Sequence, residues 1–171
     1  MADSLLKESH HDALHSLGMF VLSWSVLESY LEVGIAKQLA LNSRDGAIVT
    51  ASLQFKGRVS LLKGLLSRDS DRYAAPIATL NLLMNRADRN DLLHGVLSIA
   101  PAGLVFTRRK SDGTLKISKK GHTARSLRKT ATEIASVTRS LAHALNITDD
   151  EFKRYWADDE HEVKVVDHDD A

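Results

Sequence analysis

The sequence predicts an all-α domain interrupted by a single β-hairpin. Apolar residues recur at three- and four-residue steps over four long stretches, the spacing of a helix with one buried face. The period falls to two over one short region only, between Ser98 and Gly121. Nine Gly and two Pro in 171 residues are too few for the many turns an all-β fold requires.

The first stretch runs from about Leu14 to Ala40, with Leu14, Leu17, Val21, Trp24, Leu31 and Ile35 on its stripe. Glu28 occupies the stripe position between Trp24 and Leu31, so its carboxylate is expected to face the bundle. Asn42 to Gly46 breaks the pattern and offers Asp45 as an N-cap. A second helix is expected over Ala47 to Leu66, on the stripe Ile48, Ser52, Phe55, Val59, Leu62 and Leu66. A third is expected over Asp71 to Leu97, with Pro76 in its first turn, where a missing N–H costs nothing. Its apolar side ends at Ala87, and residues 85–91 are almost wholly polar.

Leu104, Phe106 and Arg108 then alternate with Val105 and Thr107. Ser111-Asp112-Gly113 is a turn signal, and residues 114–118 form the return strand, which gives a hairpin over about 103–118. The alternation turns Phe106 toward the core. A fourth helix follows from Ala124 to Leu145. Thr148 and Glu151 have capping-box spacing and open a short last helix. Four amphipathic helices with short connections read as an antiparallel bundle, here carrying the hairpin between the third and fourth helices. One domain over 1–157 is expected, with an acidic, disordered tail over 158–171.

Composition narrows the function classes. The chain has no cysteine, which excludes disulfides and thiolate metal sites, and a cytoplasmic location is expected. No signal peptide is evident, and the best apolar run, Leu17 to Leu27, is too short to span a bilayer, so no membrane partner is expected. The net charge of +1 hides a division. Between Arg108 and Lys129 nine basic residues face one acid, Asp112, whereas residues 146–171 hold ten acids and three bases. Arg108, Arg109, Lys110, Lys116, Lys119 and Lys120 are candidate phosphate contacts, although such runs are more often solvated faces. His11 and His15, four apart, share a helix face, but only Glu8 or Asp12 offers a third ligand, and no metal or other cofactor is expected.

The segment with the most chemistry is Arg86-Ala-Asp-Arg89-Asn90-Asp91-Leu-Leu-His94-Gly95, late on the third helix. Histidine titrates near neutrality and can exchange a proton with a ribose 2′-OH or a leaving 5′-oxygen. Arginine stays cationic and contacts two phosphate oxygens at once. On an ideal helix Arg89 and His94 point about 140° apart, while Asn90 shares one face with His94 and another pairing with Arg86. A straight helix therefore needs a bend, a long arginine reach or a second subunit to bring both groups to one phosphate. The bland alternative is a solvated helix end with His94 partly buried and bonded to a carbonyl.

Arg89-Asn90-Asp91-Leu92-Leu93-His94, with Gly95 after it, resembles the motif of the HEPN superfamily: an Arg, often followed by a polar residue such as Asn, and a His four to six positions beyond. With Asn required after the Arg, chance supplies about 0.02 such matches in a chain of this composition. The resemblance extends loosely over residues 14–145. It implies an HEPN-like antiparallel four-helix bundle and a metal-independent endoribonuclease that leaves a cyclic phosphate. His94 is then the acid/base, Arg89 stabilises the phosphate, and Asn90 orients the site, with Glu28 and Arg86 in support. It also implies a homodimer whose two motifs face one cleft, an RNA substrate, and an antitoxin partner in a toxin–antitoxin or defence system. The alternative is a non-catalytic HEPN-like RNA-binding or protein-interaction module, and a third reading is a plain helical dimer.

Overall fold

The computed structural model describes residues 2–84, 92–100, 103–112 and 114–157. They form a mostly helical fold with a small three-stranded antiparallel sheet. The helices are α1 (Ala2–Leu39), α2 (Ser43–Ala51), α3 (Phe55–Leu66), α4 (Ala74–Met84), α5 (Ala124–Ala144) and α6 (Asp149–Ala157). The strands are β1 (Val96–Ala100), β2 (Gly103–Asp112) and β3 (Thr114–His122), hydrogen-bonded in that order.

Helix α1 is the spine. Phe20, Trp24, Leu27, Leu31 and Ile35 are buried along it and pack against α2, α3, α5 and β2. Leu14 and Val21 of the expected stripe are exposed, because the buried face is rotated toward Phe20 and Leu27. Trp24 anchors the centre, with its ring centroid 5.9 Å from Phe20 and 5.0 Å from Phe55. The helix ends at Ala40, whose φ of 53° is left-handed, and the Leu41 N–H reaches back to the Ala36 carbonyl at 2.9 Å. That is a Schellman closure with alanine in the place glycine usually takes. Helix α5 closes the same way through Asn146, at φ 52°.

The expected second helix is two. Residues 52–54 break it, and Gln54 is extended at φ −66°, ψ 162°. The break lets Phe55 turn onto Trp24 and the Arg58 Nε donate to the Leu53 carbonyl at 3.2 Å. The cap of α2 is Asn42 instead of Asp45: the Asn42 side chain accepts from the Asp45 N–H at 2.8 Å. Gly46 is required inside α2, since a Cβ there would collide with the Tyr155 hydroxyl and the Ala36 side chain.

The expected third helix does not reach Leu97. Residues 92–94 are helical, Gly95 bends the chain, and Val96–Ala100 is a strand paired with β2. The single hairpin is therefore a three-stranded meander that extends to His122. Pairing with β2 is what converts the Val-Leu-Ser-Ile-Ala segment from a helix end to a strand, an influence no local pattern carries. Gly103, at φ 140°, begins β2 so close to the His122 carbonyl that no Cβ fits. Leu104 and Phe106 are buried against the bundle, with the His122 ring edge-on to Phe106 at 5.8 Å, so Phe106 lies in the core as its alternation indicates.

The last helix opens as expected in part. The Glu151 N–H donates to Thr148 Oγ1 at 3.1 Å, but the Glu151 carboxylate pairs with Lys37 at 2.8 Å instead of returning to the cap. The acidic tail over 158–171 lies outside the described residues.

Candidate functional site

Antiparallel pairing places directly opposed residues on one face of a sheet. Leu104 and Phe106 define the face toward the core. The other face therefore carries the row Val96–Thr107–Lys119, the row Ser98–Val105–Gly121, and the pair Arg109–Ile117. Among the described residues no helix covers the middle of this face: Val96 is 73% and Ile117 57% exposed.

His94 stands at its lip. Leu92, two residues earlier, is buried in the core, and Val96, two residues later, is locked into β1. The backbone of His94 is thus held from both sides while its side chain is exposed. It lines an open groove of about 970 Å³ together with Val96, Ser98, Thr107, Arg109 and Lys119, and Arg108 and Ile117 complete the wall. An imidazole, a guanidinium and an ammonium facing one concavity suit an anionic chain. The cations neutralise phosphate, the Thr107 and Ser98 hydroxyls can bond phosphate or sugar oxygens, and the imidazole can transfer a proton.

The register divides the basic segment. Of the six candidate phosphate contacts, Arg109 and Lys119 project from the groove face, whereas Arg108 borders the groove but alternates onto the face of Phe106. Lys116 and Lys120 alternate onto the opposite face, where Lys120 is the cross-strand partner of Phe106. Lys110 pairs with Lys116 through the backbone, and its side chain lies outside the described residues. Arg86, Arg89 and Asn90 also lie outside them.

Glu28 is half-buried and accepts a hydrogen bond from Trp24 Nε1 at 3.0 Å, which ties it to the core aromatic one turn away. Its expected contact with Arg86 or Arg89 falls on residues outside the description. The acid the sequence reading passed over is Glu32. It is 6% exposed, pairs with Arg58 at 3.6 Å, and accepts from the Tyr155 hydroxyl at 3.3 Å. Its signal in the sequence is that it is the one charge in the run Leu31–Ala36, a stretch the structure buries on every side. Among the described residues no group of three or more His, Asp or Glu could hold a metal ion, and His11 and His15 gain no third ligand there. No protein-family model, curated protein or solved structure matches the chain.

Proposed function

We propose that the chain is an HEPN-type endoribonuclease that cleaves RNA without a metal, with His94 as the acid/base. The observation that carries the reading is the exposed His94 at the lip of a groove that Arg109 and Lys119 face. These cations supply, within one chain, charge that the motif alone would draw from Arg89. An RNA strand laid across the outer sheet face brings a phosphodiester to the imidazole. His94 then takes the 2′-OH proton, the 2′-oxygen attacks phosphorus, and the 5′-oxygen leaves as a cyclic phosphate forms. The leaving oxygen takes up a proton, and the cations stabilise the extra charge on the phosphoryl oxygens. Arg89, Asn90 and Arg86 complete the motif in this reading, Glu28 supports it from α1, and the helices pack as an antiparallel four-helix bundle. A cytoplasmic toxin–antitoxin or defence setting, with a neutralising antitoxin, goes with it.

A second reading has its own support. The groove cations come from β2 and β3 and not from the motif, so the sheet can hold RNA without cutting it. One experiment separates the two. Purified protein is incubated with a mixed RNA pool in EDTA, and the ends of the products are mapped. The nuclease reading expects 2′,3′-cyclic phosphates, and a loss of about 10²–10⁴-fold in rate in His94→Ala, with unchanged RNA affinity and melting temperature. Tight, salt-sensitive binding with no cleavage by the wild type would establish the binding module instead.

A further inference from the structure

We propose that residues 158–171 of this chain dock on the outer face of its own sheet and exclude RNA from the groove of His94. The contact stands on charge and shape; its consequence rests on the RNA-handling role proposed for that groove. Residues 158–171 hold seven acids and one Lys, a charge of −6. The whole chain is +1, so residues 1–157 carry +7. Part of that charge is already answered: Arg58 pairs with Glu32, Lys37 with Glu151, Arg128 with Asp12 and Lys129 with Glu133. Among the described residues no carboxylate pairs with Arg109 or Lys119. Both project from the outer sheet face, which no described helix covers.

The face offers more than charge. Val96 lies in one row with Thr107 and Lys119, and Ile117 lies opposite Arg109, so exposed apolar residues alternate with cations. In an extended chain every second residue shares a side. Laid out so, Asp159, His161, Val163, Val165, Asp167 and Asp169 share one side, with two valines between acids. The valines match Val96 and Ile117, and the carboxylates match Arg109 and Lys119. The apolar groove between α1 and α5 is a poorer fit, because it sets Arg139 and His143 against Asp149 and offers little net charge. The sheet is also within reach. Helix α6 is held to α1 into its last turn, by Phe152 on Tyr30 and by the Tyr155 hydroxyl on Glu32. From Ala157 the 14 residues of the segment extend up to about 46 Å, and a fold of 157 residues is about 40 Å across. A tethered segment meets its site at an effective concentration on the order of millimolar, so weak contacts are enough to compete with RNA.

Two measurements on the full chain test this. The wild type is compared with a variant carrying Glu160→Gln, Glu162→Gln, Asp167→Asn, Asp169→Asn and Asp170→Asn, which leaves residues 1–157 untouched. The first measurement is the rate of lysine acetylation, resolved by mass spectrometry. At about 0.05 M salt, Lys119 should react severalfold faster in the variant than in the wild type, and Lys116, on the other face of the sheet, should react alike in both. At about 0.5 M salt the difference at Lys119 should vanish. The second is the affinity for a short 2′-O-methyl oligouridine, which cannot be cut because its 2′-oxygen is blocked. The variant should bind it about tenfold more tightly at low salt. Equal protection of Lys116 and Lys119 overturns docking on the outer face, and protection that rises with protein concentration overturns docking within one chain. Protection of Lys119 with no gain in affinity overturns the exclusion of RNA. Neither measurement uses cleavage, so a failure of the nuclease reading shows separately, as the absence of cut RNA.

Discussion

Glu32, Arg58 and Tyr155 form a polar cluster closed on itself, whereas His94, Arg109 and Lys119 stand on an open sheet face. Both groups bring charge together from distant parts of the chain. In the first, a carboxylate 6% exposed has a guanidinium and a phenol directed at it, and three helices are tied together as a result. In the second, cations and an exposed imidazole share an open concavity of about 970 Å³. Burying a charge is costly unless partners satisfy it, so a closed cluster is scaffold. Open cations beside an exposed imidazole cost the fold little and remain available to a ligand.

The largest expected effect breaks the closed side. Arg58→Ala leaves Glu32 buried with, among the described residues, the Tyr155 hydroxyl alone and should lower unfolding stability by about 3 kcal/mol, read from urea titration. Cleavage or RNA binding per folded molecule should not change. A variant as stable as wild type would show that the cluster is not scaffold. A smaller effect tests the open side. Arg109→Ala and Lys119→Ala should each weaken RNA binding and reduce the slope of log affinity against log salt by about 0.7 for single strands, with stability changed by less than about 0.5 kcal/mol. Lys116→Ala is the sharpening control. It lies in the same basic segment but on the other face of the sheet, and it should leave the slope as it is. Equal effects at Lys116 and Lys119 would mean that the register does not select the contacts.

The smallest effect lies at the α1–α6 contact, where Tyr30 stacks on Phe152 at 4.3 Å. Burial raises the Tyr30 phenol above its ordinary value of 10.0, and the Asp149 carboxylate adds to the rise. The folded state therefore holds the proton more tightly than the unfolded one. The stability this contributes is complete below about pH 10 and is lost as pH climbs through the raised value, because the unfolded phenol ionises first. In Asp149→Asn the Tyr30 ring resonance should titrate at lower pH than in wild type, by a modest amount, since burial is the larger cause.

Much of this architecture was legible beforehand, and the exceptions have a common cause. The long stripe through Trp24 and Ile35, the inward Phe106 and the start of the last helix at Thr148 all follow from contacts within a few residues. The break at 52–54 does not, because Phe55 and Arg58 are drawn to partners on α1 more than 20 positions earlier. Strand β1 does not either, since only β2 makes Val96–Ala100 a strand. The candidate site divides in the same way. His94 was conspicuous from its spacing, but a histidine at a helix end can as well be a buried one.

The amino-acid sequence by itself determined the helical periods, the reversal of chain between β2 and β3, the concentration of positive charge after residue 107 and the uncharged stretch of α1, because each is a property of neighbours along the backbone. Only the tertiary structure decided which cations share a groove with His94, that Lys116 and Lys120 do not, and that Glu32 is enclosed. Those outcomes depend on pairing between strands and packing between helices far apart in the chain, where one residue of register moves a side chain from one face of a sheet to the other.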